Sequence, residues 1–322
     1  MPMDRLPILN QSAIPVRVFQ AKTLHLDELV RLASCKANWE EYCEFPFSTT
    51  VYVDLDEKKA LKGEFKMTSL GNSQPSIFQS SEVAVKQMFM TKSAIKTHAP
   101  AAGPSIAPLP ASVVTRYYPL DPLDQLPRLL MELKLHQWGQ ALLNLVYSYI
   151  ASLNKDEDVE KFIEIPKFRF VKAAIAIEEL PMSSAKTRPR VFLVEEDLSV
   201  MKQGEFRKYM SNMPHVFVAF NNEEDAARAE FLRFTQHIMY WKTGKLAYVS
   251  DYQGNDSVLT DCQLMTHRQL GRVFADGNVP EGFEGLEDHH DCNNRFCDFF
   301  KPPPMSDIHQ SKANLGNDSN AQ

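Results

Sequence analysis

Residues 234–254 read FTQHIMYWKTGKLAYVSDYQG, and the reading of the chain works outward from them. Phe231, Phe234, Ile238 and Trp241 recur at helical spacing across Glu223–Trp241, with Asn221-Asn222 ahead of them as candidate caps. Thr243-Gly244 ends that helix, and Lys245–Ser250 reads as a strand. Asp251 and Gln253 then fall where the strand ends and the backbone becomes irregular. Asp261 follows ten residues after Asp251. An amide and a carboxylate on adjacent loops are the hard oxygen donors that Mg²⁺ takes, with phosphates and waters completing its octahedron. A further carboxylate beside such a metal can orient or deprotonate a hydroxyl nucleophile. The plainer reading has Asp251 and Asp261 as turn caps.

Downstream lies His290-Asp291-Cys292, then Cys297 after four intervening residues. Two thiolates and an imidazole this close form part of a zinc site. The fourth ligand would come from His237 on the preceding helix, with His289 or Cys262 as alternatives. Without metal, the same residues are two buried free cysteines beside a solvated histidine pair. Upstream, Lys86 in EVAVKQMF ends an apolar run from which an ammonium could reach phosphate oxygens, although a strand lysine is commonly an edge or snorkelling residue. No GxxxxGK(S/T), GxGxxG or GxSxG occurs, so the familiar phosphate loops and the serine-hydrolase elbow are missing.

Around these motifs the elements alternate irregularly. Val16–Phe19 is a short extended piece, Leu24–Tyr42 an amphipathic helix, and Thr50–Leu55, Glu64–Ser69 and Glu82–Met90 are β-like runs. The Pro/Ala-rich segment 97–112 reads as a flexible insertion. Leu123–Asn154 is the longest helix, followed by strands at Val171–Glu178 and Arg190–Glu195. The predicted class is α+β with two lobes. Residues 1–45 form an N-terminal extension, 46–195 the first lobe and 196–300 the second, and the polar segment 301–322 is expected to be disordered.

The chain has 322 residues, a net charge of −6 and no basic run longer than Lys58-Lys59, which argues against a nucleic-acid arm or a polybasic membrane anchor. No apolar stretch reaches the length of a membrane span and no signal peptide is evident. Five cysteines, an odd count, suit a reducing compartment, so a cytoplasmic protein is expected.

Taken in order, FTQHIMYWKTGKLAYVSDYQG, VLTDCQL, FADGNVPEGF and HHDCNNRFC resemble the C-terminal half of alpha-kinases, the atypical protein kinases that include myosin heavy chain kinases and channel-fused kinases. Upstream, LKGEFKMTSL, EVAVKQMF and VFLVEEDLSVMKQGEFRKYMSN resemble that family's nucleotide-lobe and connecting motifs, so the likeness spans roughly residues 45–300. It implies a protein-kinase-like fold with a zinc-stapled C-lobe, and an ATP- and Mg²⁺-dependent enzyme that phosphorylates Ser/Thr hydroxyls of protein substrates. By the resemblance, Lys86 binds nucleotide phosphates, Glu195 lies at the hinge beside the adenine, and Gln253 and Asp261 hold Mg²⁺. Asp251 is the catalytic aspartate, Gly277 and Asn278 belong to a glycine-rich loop, and His237, His290, Cys292 and Cys297 bind Zn²⁺. Glu132 on the long helix would pair with Lys86.

The departures are Tyr252 for leucine, Cys262 for proline, Ala275 and Pro280 in the glycine loop, and one extra residue between the cysteines, which would call for a local bulge. The alternative they favour is a kinase-like binding module with weak catalysis or none.

Overall fold

A computed structural model describes residues 11–35, 37–63, 65–96, 112–153, 162–181, 187–213, 216, 218–270 and 280–311. The expected glycine-loop residues Gly277 and Asn278, and most of the 97–112 insertion, lie outside that set. In chain order the elements are β1 (Ser12–Gln20), α1 (Leu26–Ser34), β2 (Phe47–Val53), β3 (Leu61–Lys62), β4 (Lys66–Gln74), β5 (Glu82–Lys96) and β6 (Ser112–Pro119). Then come α2 (Pro122–Leu153), β7 (Arg169–Phe170), β8 (Ala173–Glu178), β9 (Val191–Glu196), β10 (Arg207–Lys208) and α3 (Glu223–Lys242). The last are β11 (Ala247–Ser250), β12 (Gln253–Gly254), β13 (Val258–Thr260), β14 (Gln263–Thr266), α4 (Pro280–Glu284), α5 (Leu286–His289) and α6 (Arg295–Phe300).

The N-lobe is one sheet in the order β3-β4-β2-β1-β8-β9-β5-β6, and β4 pairs with β5 as well as with β2. The ladder from β4 through β2, β1, β8, β9 and β5 therefore returns to β4, with β3 and β6 as its branches among the described residues. Period-two alternation fills its inner face: Ile14, Val16 and Val18 meet Val51, Val53, Val83, Val85, Phe192 and Val194. On the opposite face Ile175, Leu193 and Met88 pack against Leu129 and Leu133 of α2.

This arrangement corrects three expectations. Ser12–Gln20 does not belong to a separate extension, because β1 pairs with both β2 and β8 and is an interior strand of the lobe. The amphipathic segment read as Leu24–Tyr42 stops at Ser34 and restarts as a short turn at Trp39–Tyr42. The run read as Glu82–Met90 is longer, since β5 continues to Lys96 and pairs with β6 from Phe89↔Pro119 to Lys96↔Ser112.

The long helix is as expected. Asp121 caps its start by accepting from the Leu123 N–H, and the helix runs 32 residues to Leu153. Its second half enters the C-lobe core, where Leu142, Leu143, Val146 and Ile150 meet Phe231, Phe234 and Ile238 of α3. Helix α3 starts on Asn222, whose side chain accepts from the Asp225 N–H. A fourth correction concerns 301–322: the described part, through Ser311, is packed, with Met305 and Ile308 buried in the C-lobe core. Two apolar side chains at the right spacing suffice to dock an otherwise polar segment. No helix among the described residues is long and apolar enough to cross a membrane.

Candidate active site between the lobes

Register brings the predicted residues together. On β5, Lys86 lies opposite Leu193 and Ala84 opposite Glu195, so Lys86 and Glu195 are diagonal neighbours on the face turned to α2. Their side chains meet at 2.8 Å. Thr68 faces Lys86 and Lys66 faces Met88, which puts a second lysine on the same face. Lys66 Nζ bonds Glu132 of α2 at 2.6 Å and Asp261 at 2.9 Å, while Lys86 Nζ bonds that same Asp261 oxygen at 2.9 Å. Charges thus alternate from Glu132 through Lys66, Asp261 and Lys86 to Glu195, and of these five Asp261, directly after β13, comes from the C-lobe.

Each charge is held by its neighbours. Burial opposes ionisation of Asp261, but Lys86 and Lys66 keep its carboxyl well below the usual carboxylate range. Burial likewise opposes both ammoniums, and the facing carboxylates more than offset it, so Lys66 and Lys86 sit above the ordinary lysine value. Burial would raise Glu195, yet Lys86 and His136 hold it down to about 2. Glu195 also accepts from Thr260 Oγ1 at 2.9 Å and meets His136 Nε2 at 3.1 Å. At 2% exposure its carboxylate is committed to Lys86, His136 and Thr260. The expected Glu132–Lys86 pair is corrected, since Glu132 reaches Lys66.

In the C-lobe, the β12–β13 hairpin pairs Gln253 with Thr260, setting Gln253 beside Asp261; Gln253 Nε2 donates to the Asp261 carbonyl at 3.4 Å. Asp251 and Asp261 both have left-handed backbones, with φ of 56° and 48°. Aspartate tolerates this region better than most residues, and such conformations gather at functional sites. Asp251 directly follows β11 and pairs with Lys208 of β10 at 2.7 Å. Gln253 and Asp261 supply the hard oxygens suited to Mg²⁺. Lys66, Lys208 and Thr260 were missed by the sequence reading, although Lys66 and Lys208 stand inside GEFK and GEFRKYM, segments already singled out.

A second cluster lies beneath α3. The ligand atoms of His237, His290, Cys292 and Cys297 all fall within 4.8 Å of one another. His237 Nδ1 is 3.7 Å from both sulfurs, and Cys297 Sγ is 3.9 Å from His290 Nε2. Ligands bonded to tetrahedral zinc at ~2.0–2.3 Å stand about 3.3–3.8 Å apart; two of these three separations fall in that range and the third lies just beyond it, so the donor set suits such an ion. The far nitrogen of His237 donates to the Pro303 carbonyl at 2.9 Å, which fixes the tautomer and leaves Nδ1 as a lone pair aimed at the thiols. Burial lowers His290 to about 3 and raises the Cys297 thiol to about 12, so the pocket favours neutral imidazoles, and a thiolate there calls for a cation. The extra residue needs no bulge in the helix: Asn294 caps α6, accepting from the Phe296 and Cys297 N–H groups, while Cys292 sits just ahead of it. His289 and Cys262 stand outside the cluster.

The alpha-kinase family profile matches residues 122–297, more than half of the 322-residue chain. No curated protein sequence matches. Among solved structures, a novel alpha kinase from Entamoeba histolytica aligns with a TM-score of 0.58 at 15% identity, over 92% of this chain and 94% of that one. The alpha-kinase domain of myosin-II heavy chain kinase A, solved in complex with adenosine, aligns with a TM-score of 0.55 at 12% identity, over 95% and 99%. The same domain solved with ADP gives 0.52 at 12% identity, over 92% and 100%. Profile, fold and motif order agree, and the chain belongs to the alpha-kinase family.

Proposed function

We propose that this chain is an ATP- and Mg²⁺-dependent protein kinase that transfers the γ-phosphate of ATP to Ser or Thr hydroxyls of protein substrates. The observation that carries the reading is the convergence of Lys66 and Lys86 on one oxygen of Asp261, both at 2.9 Å. Two ammoniums from the N-lobe and one carboxylate from the C-lobe are a matched set for a metal-bound polyphosphate. Phosphate oxygens would take over the lysines, and Gln253 with Asp261 would hold Mg²⁺, whose charge offsets that developing on the phosphates. Glu195 keeps Lys86 extended toward the cleft.

Asp251 would accept the proton of the substrate hydroxyl as its oxygen bonds to the γ-phosphorus. The bond from that phosphorus to the β,γ-bridging oxygen breaks, and ADP departs with the electron pair. Lys208 restrains the Asp251 carboxylate, and the left-handed backbone aims it off the end of β11. His237, His290, Cys292 and Cys297 would hold a structural Zn²⁺, since four protein ligands leave no open position for catalysis.

The test is incorporation from γ-labelled ATP into a generic basic protein, with phosphoamino-acid analysis. Asp251→Asn should lower the rate about 10²–10⁴-fold while ATP still binds. Equal incorporation by parent and variant would refute the catalytic assignment, and phosphotyrosine as the product would refute the Ser/Thr specificity.

A further inference from the structure

The closed ladder of the N-lobe sends out one ribbon. From Glu82 to Met88, β5 is paired with β4, and from Val83 to Lys86 with β9 as well. Beyond Met88 its ladder partner is β6, from Phe89↔Pro119 to Lys96↔Ser112. Among the described residues β6 has no strand on its other side. The β5 side is partly taken: the Phe65 carbonyl accepts from the Phe89 N–H at 3.3 Å, and Lys62 lies over the Tyr117 ring at 4.2 Å. β6 is therefore the open edge. A two-stranded ribbon is marginal in water on its own, and a third strand is what this one lacks.

Register sorts its side chains by face. Met90 opposes Tyr118 and Lys92 opposes Arg116, so these four share the face that carries Lys86 and Met88 further back. Phe89 and Tyr117 share the other, their ring centroids 5.1 Å apart. Met90 and Tyr118 are 42% and 39% exposed, and Lys92 and Arg116 are exposed beside them. Residues 89–96 and 112–119 include Lys92, Lys96 and Arg116 and no acidic residue, in a chain whose net charge is −6. The Lys92 ammonium lies over the Tyr118 ring at 5.5 Å, and neither it nor Arg116 has a carboxylate partner among the described residues.

We propose that β6 is a docking edge for an acidic, extended segment of the protein substrate, which adds to it as a further strand. Main-chain hydrogen bonds along β6 supply affinity. Acids at alternate positions meet Lys92 and Arg116 on one face, and the apolar residues between them cover Phe89 and Tyr117 on the other. A second copy of this chain is the wrong occupant, because pairing β6 with itself brings the Lys92–Arg116 pair of each copy toward that of the other. A single-stranded nucleic acid would use the cations and rings but leave the β6 N–H and C=O groups without strand partners. At about 3.4 Å per residue, Lys92 stands roughly 20 Å along β5 from Lys86, so the acidic segment lies roughly six or more extended residues from the reacting hydroxyl. That the partner is a substrate rests on the proposed function; the strand addition does not.

The experiment follows the fluorescence anisotropy of a labelled decapeptide of alternating Glu and Val, titrated with the full chain. It should bind. The Lys–Val and Glu–Pro decapeptides should bind at least tenfold more weakly, the first for its charge and the second because proline has no N–H to pair. The surface variant Lys92→Glu/Arg116→Glu should weaken the Glu–Val peptide at least tenfold, and Arg116→Gln alone by less. A Ser-containing substrate peptide extended by the Glu–Val segment should show a KM lowered at least tenfold at unchanged kcat, and the double variant should erase that gain. Absence of Glu–Val binding, equal binding of either control peptide, unchanged affinity in both variants, or tighter binding of an oligo(dT) of the same length overturns the docking edge. An unchanged KM for the extended substrate overturns its assignment to substrates. If no peptide is phosphorylated at all, the kinase reading fails, and the anisotropy titrations still decide the strand addition.

Discussion

Glu132 of α2 bonds Lys66 of β4 at 2.6 Å, and through Lys66 it reaches Asp261. The long helix therefore orients a lysine other than the one in EVAVKQMF, which leaves Lys86 to Glu195. Lys66→Met should weaken ATP about 10–100-fold, the worth of a charge-assisted contact to phosphate. Glu132→Gln should do the same more mildly while sparing the fold. Fluorescent-nucleotide titration reads both, and unchanged affinity in Lys66→Met would remove it from the phosphate site.

Acid stability follows from Glu195. Its folded value is lowered to about 2, beneath the ~4.3 of an unfolded glutamate. The stabilisation is thus fully present above the unfolded value and is lost as pH falls through the folded one. Melting temperature should drop between about pH 4 and pH 2. Glu195→Gln should start lower at neutral pH, because Lys86 loses a buried partner, and should show a flatter acid limb over that window. Thermal melts across the range decide, and equal slopes would show that other carboxylates govern the limb.

Gly254 holds φ at +155°, and a Cβ there would overlap the Val258 carbonyl oxygen. Only glycine closes the β12–β13 hairpin in this form. Gly254→Ala should separate Gln253 from Asp261, lowering Mg²⁺-dependent ATP affinity more than tenfold and stability by about 1–3 kcal/mol. Denaturant unfolding and nucleotide titration check the two effects. A variant that retains both would mean that the hairpin tolerates another turn.

Metal analysis of the purified chain should find about one zinc per molecule. His237→Ala and Cys297→Ser should each abolish it and lower soluble yield, and chelation should lower the melting temperature of the parent alone. Folded, monodisperse protein without zinc would refute the ligand set.

How much of this was legible before the structure depends on the range of each interaction. Gln253, Asp251 and Asp261 sit within one short hairpin and its flanks, and His290, Cys292 and Cys297 of the His/Cys cluster within eight residues, so local spacing is enough to bring them near one another. The contacts of Glu195 are not legible from its motif. Its neighbours Lys86, His136 and Thr260 come from three separate elements, and only strand register discloses the contact. β1 was read as part of an extension because its partner β8 lies more than 150 residues away, too far for local pattern to signal. Pro303 falls in a segment whose polar composition predicts disorder, because composition says nothing of a carbonyl that orients His237 on α3.

The shared helix α2 bears on how the molecule comes apart. Leu129 and Leu133 belong to the core under the N-lobe sheet, and Leu142, Val146 and Ile150 to that of the C-lobe. Neither core can melt without stripping the other of one of its walls. The lobes should therefore unfold as one calorimetric unit, and a fragment cut between them, however natural the cleft makes that boundary look, would carry half a helix with no surface to cover it.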